Sequence, residues 1–235
     1  MSLKGIFPID KWDFNSQAIL AELPEEDIEQ LLNNSNEEIY KKGELVFKEG
    51  TIPSGIFYIK SGKVKKYKVD NFHKEQIIYV ANAGELIGYH AVLSSERYPD
   101  SASTLEESIV SFIPKEVFFR ALEQSPTLSR VLLKTLSHEF AVLINNISIF
   151  AQRPARERIA ITLIILREKF KNDVASDLPI TINVSREDIA SMAGTTRENA
   201  VRMLRQFKDE GIIETKGRKI WVLDIRKLAQ ASNYQ

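Results

Sequence analysis

Residues 185–207 read SREDIASMAGTTRENAVRMLRQF, and the fold of the chain is decided in this stretch. Ser185 is placed to cap one helix, with Asp188 three residues on to complete a capping box, and Thr196 is placed to cap a second. Between them, Gly194 can take the left-handed backbone that ends a helix and turns the chain within three or four residues. Two helices held at a fixed angle by so short a turn form a helix-turn-helix. Ala190 and Ala193 are small enough for the helices to cross closely. Ile189 and Met192 on the first helix, and Val201, Leu204 and Phe207 on the second, supply apolar faces at helical spacing. Arg197, Glu198 and Arg202 fall at the first, second and sixth positions of the second helix, opposite that face. The amino half of a recognition helix reaches base edges in the major groove, where arginine bonds guanine and glutamate accepts from cytosine. The alternative is a charged surface on an ordinary helical hairpin, and the residues that follow weigh against it.

Gly211 ends the second helix. Ile212 and Ile213, a turn of Lys216, Gly217, Arg218 and Lys219, and the run Ile220 to Leu223 predict a β-hairpin with a basic tip. Beside a helix-turn-helix such a hairpin is a wing. Its Lys216, Arg218 and Lys219 are expected to meet phosphates, which adds affinity and orientation but little sequence information.

The order of a capped helix, the AGTTRENAVR second helix, the GIIETKGRKIWV wing and a preceding sensor resembles the Crp/Fnr family of bacterial transcription regulators, across nearly the whole chain. In the DNA-binding half the likeness to the cyclic-AMP receptor members is ungapped. The resemblance implies an α+β fold: an N-terminal antiparallel β-roll like a cyclic-nucleotide-binding domain, a long dimerisation helix and a C-terminal winged helix-turn-helix. It implies that Arg197, Glu198 and Arg202 contact bases, and that Ser185, Arg186, Thr196, Arg205 and Lys216 lie near phosphates. The implied partners are double-stranded DNA bearing a pseudo-palindromic operator, a second copy of the chain, and RNA polymerase.

Composition agrees with a regulator of this kind. The 235 residues carry 32 Lys+Arg and 32 Asp+Glu and are 43% hydrophobic, enough for one large or two modest domains. The balance conceals an asymmetry. Residues 1–152 carry 16 basic against 21 acidic side chains, a net of −5, whereas 153–235 carry 16 against 11, a net of +5. The basic half coincides with the helix-turn-helix. With no cysteine there is no disulfide, thiolate iron–sulfur ligand or thiol switch. The longest largely apolar run is Ile161 to Leu166, with only Thr162 polar in it, far short of the ~20 residues of a membrane span, and the amino terminus lacks the order of a secretion signal. A cytoplasmic protein with no membrane partner is expected.

Upstream, residues 1 to about 36 read as a helical, acidic lead-in with Leu20, Leu23, Ile28, Leu31 and Leu32 facing inward. From Ile39 to Ile113 come short β-branched and aromatic runs (Leu45 to Phe47, Ile56 to Ile59, Ile77 to Val80, Ile109 to Ile113) punctuated by glycines, which predicts an antiparallel roll. Ser125 and Pro126 then give an N-cap followed by proline at the first helical position, and the next interruption is Pro154. One helix of about 26 residues, or about 39 Å, fits between. Leu133, Leu136, Phe140, Leu143, Ile147 and Phe150 recur in it at alternating steps of three and four, the heptad seam that winds two helices together. That seam predicts a homodimer, with Leu132, Val142 and Ile144 left to cover the chain's own roll. After Pro154 an amphipathic helix places Ile159, Leu163 and Leu166 over the winged-helix core, and Ile180 to Val184 reads as a strand. The expected domains are 1–125, 126–152 and 153–235.

The sensor departs from the cyclic-nucleotide members of the family. Where they carry a ribose-binding glutamate this chain has Tyr89, and their phosphate-binding arginine falls on Pro99 or Asp100. A carboxylate at Asp100 repels a phosphodiester, and Arg97 is the one nearby cation that can substitute. The base-contacting pair on the long helix aligns with Leu143 and Ile144. Gly88, Tyr89, His90, Arg97, Asp100 and Ser101 are therefore a candidate effector pocket of unknown effector, with tight cyclic-AMP binding not expected. His90 can be read as a haem ligand or as a rim or core histidine. His73, His90 and His138 lack metal-site spacing, which favours the second reading, and no cofactor or metal is expected. A rival function is a cyclic-nucleotide-responsive regulatory module of an enzyme or channel, disfavoured because no catalytic or membrane segment follows the wing. An enzyme fits worst, since a catalytic metal in such a barrel needs clustered His and carboxylate ligands.

Overall fold

The computed structural model describes residues 3, 5–14, 16–33, 35–171 and 179–234. Two short helices, α1 (Gln17–Ala21) and α2 (Glu25–Leu32), lead into the roll, whose strands are β1 (Asn36–Tyr40), β2 (Leu45–Phe47), β3 (Gly55–Ser61), β4 (Lys63–Val69), β5 (Glu75–Asn82), β6 (Leu86–Ile87), β7 (Ser101–Thr104) and β8 (Ser108–Pro114). They form two four-stranded antiparallel sheets, in the orders β1-β8-β3-β6 and β2-β7-β4-β5. A short helix, α3 (Tyr89–Ser94), interrupts the strands, and α4 (Lys115–Gln124) follows them.

The core of the roll gathers Ile56, Leu86, Tyr89 and Ile113 from within it, Ile19, Leu20, Leu23 and Leu31 from the lead-in, and Phe118, Leu128 and Leu132 from the helices that follow. Leu20, Leu23 and Leu31 are buried as expected, while Ile28 and Leu32 pack at the margin of this core. Burying such side chains stabilises the unit by about 1.5–3 kcal/mol each.

The long helix α5 runs from Pro126 to Gln152, 27 residues, and its amino end is capped by Ser125, whose Oγ accepts from the Leu128 N–H at 3.1 Å. Its buried stripe is Leu128, Val131, Leu132, Thr135, Glu139, Val142 and Ile149. Leu133, Phe140, Leu143, Ile147 and Phe150 of the heptad seam are exposed on the single chain, at 67% for Leu133 and 69% for Ile147. Two residues depart from expectation. Leu136 turns toward the roll core and packs at its edge, and Ile144, expected to cover the roll, is exposed alongside the seam. Both follow from helical periodicity, since the buried stripe passes through Thr135 and Glu139 and places Leu136 on its flank and Ile144 well off it.

The carboxyl-terminal part comprises α6 (Ala155–Lys169), β9 (Ile182–Asn183), α7 (Arg186–Met192), α8 (Arg197–Asp209), β10 (Ile213–Lys216), β11 (Lys219–Val222) and α9 (Ile225–Ala231), with a three-stranded sheet in the order β10-β11-β9. Pro154 precedes α6 in extended conformation, so the break between α5 and α6 lies where the proline removes a helical N–H. Ile159, Leu163 and Leu166 are fully buried in α6. The chain divides into two compact units, residues 14–140, and 1–13 together with 141–235. This division falls inside α5 instead of at its ends. Among the described residues no helix is long and apolar enough to cross a membrane.

Candidate functional site

The helix-turn-helix forms as its caps dictate. Ser185 Oγ accepts from the Asp188 N–H at 2.9 Å, the Asp188 carboxylate accepts from the Ser185 N–H, and Thr196 Oγ1 accepts from the Asn199 N–H at 3.2 Å. Gly194 sits between α7 and α8 at φ +60°, in the left-handed region that an L side chain rarely adopts. Ala190 and Ala193 are buried at the crossing. Ile189, Leu204 and Phe207 lie in the core as expected, joined by Ala200 and Met203. Val201 does not: it is 44% exposed. On a helix of 3.6 residues per turn Val201 stands one turn beyond Arg197 and next to Arg202, so it belongs to the charged face and not to the apolar one.

That face carries Arg197, Glu198, Arg202 and Arg205, all exposed. Arg202 Nη2 donates to Asn199 Oδ1 at 2.8 Å, which fixes its stem against the helix, and Arg205 stands 4.0 Å from Asp209 in an exposed pair that adds little stability. At the wing, Lys216 pairs with Lys219 across the β10–β11 hairpin, and Lys216, Arg218 and Lys219 are exposed around Gly217. Arg186, the first residue of α7, is half-buried and donates to the carbonyls of Gly217 at 3.0 Å and Arg218 at 3.5 Å. Burial lowers the pKa of this guanidinium from its ordinary value, which leaves it charged at neutral pH. Arg186 thus ties the wing tip to the start of the first helix.

Two residues that sequence reasoning passed over set this geometry. Arg158 of α6 donates to Ala193 O at 2.8 Å and Gly194 O at 3.1 Å, capping the carboxyl end of α7 with a cation where the helix dipole favours one. Arg156 donates from Nη2 to both oxygens of the Glu210 carboxylate, each at 2.8 Å, and lies 4.5 Å from the centroid of the Phe207 ring, so α6 clamps the far end of α8. Both sit in ARERIAITLIILREKF, where charged positions read only as the solvated side of an amphipathic helix.

In the roll the candidate pocket residues separate. Gly88, at φ +84°, makes the turn into α3, and a Cβ there would stand 3.3 Å from the Tyr98 ring. Tyr89 and His90 face inward from α3 and both bond Glu139 of α5: the Tyr89 hydroxyl donates to Oε1, and His90 Nε2 lies 2.5 Å from Oε2. The Glu139 side chain is 3% exposed. Burial first, then the Glu139 charge and hydrogen bond, hold the Tyr89 pKa well above its ordinary value. Asp100 is buried too, but faces Lys66 of β4 at 3.1 Å, so its charge is compensated within the roll. Ser101 accepts from the Glu49 N–H at 3.0 Å, and Arg97 donates to Gly50 O at 2.8 Å beside an open cleft with Lys115 and Phe119.

A small, partly open recess of the roll, bounded by Lys66, Tyr79, Leu86, Tyr89, His90 and Glu139, measures about 10 Å³, room for one water molecule. Glu85, in the turn between β5 and β6, is buried and accepts from Ser16 Oγ at 2.5 Å, Tyr79 at 2.7 Å and the Asn82 N–H at 2.9 Å. Sequence reasoning missed Glu139 and Lys66. A lone carboxylate between Leu136 and Phe140 was the available signal, since its spacing from Thr135 and Val142 puts it on the buried stripe.

Residues 37–125 match the family model for the cyclic nucleotide-binding domain, and residues 157–231 that for the Crp-like helix-turn-helix domain. The transcriptional activator protein anr of Pseudomonas aeruginosa is 30% identical over 195 residues, covering 83% of this chain and 80% of that protein. The chain belongs to the Crp/Fnr family of transcription regulators. As a Crp/Fnr-type regulator it carries a helix-turn-helix DNA-binding domain that follows, in sequence, an antiparallel domain of the cyclic nucleotide-binding type. It is also 29% identical over 213 residues to the fumarate and nitrate reduction regulatory protein of Escherichia coli K12, covering 90% of this chain and 85% of that one. FixK2 from Bradyrhizobium japonicum shares the fold at a TM-score of 0.73 and 21% identity, covering 84% of this chain and 96% of that one.

Proposed function

We propose that the protein is a dimeric, sequence-specific DNA-binding regulator whose roll does not take a cyclic nucleotide. The observation that carries the first part is the row of Arg197, Glu198 and Arg202 exposed on the amino half of α8, which Thr196 caps just as Ser185 caps α7 before it. These three read bases in the major groove. Ser185, Arg186, Thr196, Arg205, Lys216, Arg218 and Lys219 hold the phosphates on either side, with Arg186 also bracing the wing.

Dimerisation is supported by Leu133, Phe140, Leu143, Ile147 and Phe150, large apolar side chains left exposed in heptad register on a helix of 27 residues. Two recognition helices related by that axis require a pseudo-palindromic operator with half-sites one turn apart, about 34 Å.

The sensor reading is supported by volume and charge. A ligand the size of a nucleotide needs a pocket of about 300 Å³ or more; the recess beside Tyr89, His90 and Glu139 holds about 10 Å³, and the larger cleft beside Arg97, about 670 Å³, is open at the surface and has neither Tyr89 nor Asp100 in its lining. Tyr89 and Glu139 bond to each other across that recess, the Glu139 and Asp100 carboxylates give a phosphate nothing to gain, and Lys66 is already paired with Asp100. RNA polymerase as a partner and a cytoplasmic location complete the proposal. Selection of duplexes from a randomised pool by the purified protein tests it: a two-fold symmetric site is expected, and a pool without enrichment, or a single unrepeated half-site, overturns it.

A further inference from the structure

The exposed Val201 has no role in the apolar core to which its spacing assigned it, and its neighbours say what it meets instead. Measured from Arg197 around α8 at about 100° per residue, Val201 lies at about 40°, Glu198 at about 100° and Arg202 at about 140°, so the valine sits inside the arc of the charged residues and not at its edge. It is in the second turn of α8, at the same depth along the axis as Arg202. Arg202 is drawn toward Asn199 by a 2.8 Å hydrogen bond, to the side away from Val201, which leaves the two valine methyl groups uncovered at 44% exposure. A β-branched side chain has one favoured rotamer in a helix, so these methyl groups are presented rigidly. The groups that a major groove offers to an apolar side chain are the C5 methyls of thymine; every other base edge there shows a donor or acceptor.

We infer that Val201 is a specificity-determining residue that packs against a thymine C5 methyl in each operator half-site, at a base pair next to the one bonded by Arg202. This assignment rests on α8 being the recognition helix, as proposed above. Removing one buried methyl from such a contact is worth a factor of about four in an equilibrium constant.

The test uses the full-length protein and the operator recovered from the randomised pool. Each thymine in a half-site is replaced in turn by deoxyuridine, which deletes the C5 methyl and keeps every hydrogen-bonding group. One position per half-site is expected to weaken wild-type binding about fourfold, or about fifteenfold when both half-sites are changed. Val201→Ala, at an exposed helical site where alanine is the better helix former, should bind the thymine and deoxyuridine duplexes equally while keeping the base preference set by Arg202. Equal binding of all deoxyuridine duplexes by the wild type overturns the inference, as does a thymine preference that survives in Val201→Ala. If Arg202→Ala also leaves every base preference intact, it is the recognition-helix reading that fails, and the inference with it.

Discussion

At Glu139 a single carboxylate, the one charged group on the buried stripe of α5, accepts from both Tyr89 and His90. Removing one donor leaves part of that charge unsatisfied, so Tyr89→Phe should cost about 1–3 kcal/mol, read as a fall in Tm of roughly 2–4 °C per kcal/mol for a chain of this length. The pH dependence has a definite sign. The folded state keeps the Tyr89 proton after the unfolded chain has released it near pH 10, so this contribution is whole below pH 10 and is lost as pH rises above it. Tyr98, pushed up to about 12 by burial, and Tyr40, also raised to about 12, act in the same direction. Denaturant unfolding between about pH 9 and 12 should therefore show falling stability, less steeply in Tyr89→Phe; parallel curves would show that this hydroxyl is not held protonated. On the DNA side the contrast lies between two cations. Arg202→Ala should relax preference at one operator position per half-site, a change of about 1–3 kcal/mol in discrimination. Lys216→Ala should weaken all sequences alike and reduce the slope of log K against log salt by about 0.9 for each phosphate that the lysine no longer neutralises. Selection on a randomised library distinguishes them.

The helices add effects that no single side chain accounts for. In α5 the exposed and buried stripes run side by side, and the half-buried Leu136 belongs to both. A disruption of the dimer is therefore best made at Phe140 and Ile147, which stand clear of the roll core: lysine at both should give a folded monomer by light scattering with its far-ultraviolet circular dichroism retained. A dimer that persisted would place the interface elsewhere. In α7 the capping box is the determinant, and Ser185→Ala should cost about 1 kcal/mol of stability. Because α7 supports α8 through Gly194 and the Arg158 cap, the same change should weaken DNA binding without altering which bases are preferred.

Over the whole molecule the charge is divided, −5 in residues 1–152 and +5 in 153–235, so salt-dependent DNA affinity should be a property of the second part. Cyclic AMP or cyclic GMP at millimolar concentration should change neither Tm nor DNA affinity, and heat detected by titration calorimetry at micromolar nucleotide would contradict a roll that takes no cyclic nucleotide. Local chemistry made much of this legible in advance. Ser185, Asp188, Thr196 and Gly194 act through bonds to residues within a few positions, and the strands from Leu45 to Ile113 are bounded by their own turns, so the winged helix and the roll could be read from the chain alone. Long-range partners could not. The carboxylate that meets Tyr89 is 50 residues away, the lysine that neutralises Asp100 is on another strand, and Arg158 caps a helix whose end lies 35 residues downstream. Val201 was legible too: periodicity counted from Arg197 puts it on the charged face, while Ala200 and Met203 face inward. Sequence determined the elements, since capping, turns and periodicity are short-range; only the tertiary structure decided which side chains meet, because burial and pairing depend on how those elements are packed in space.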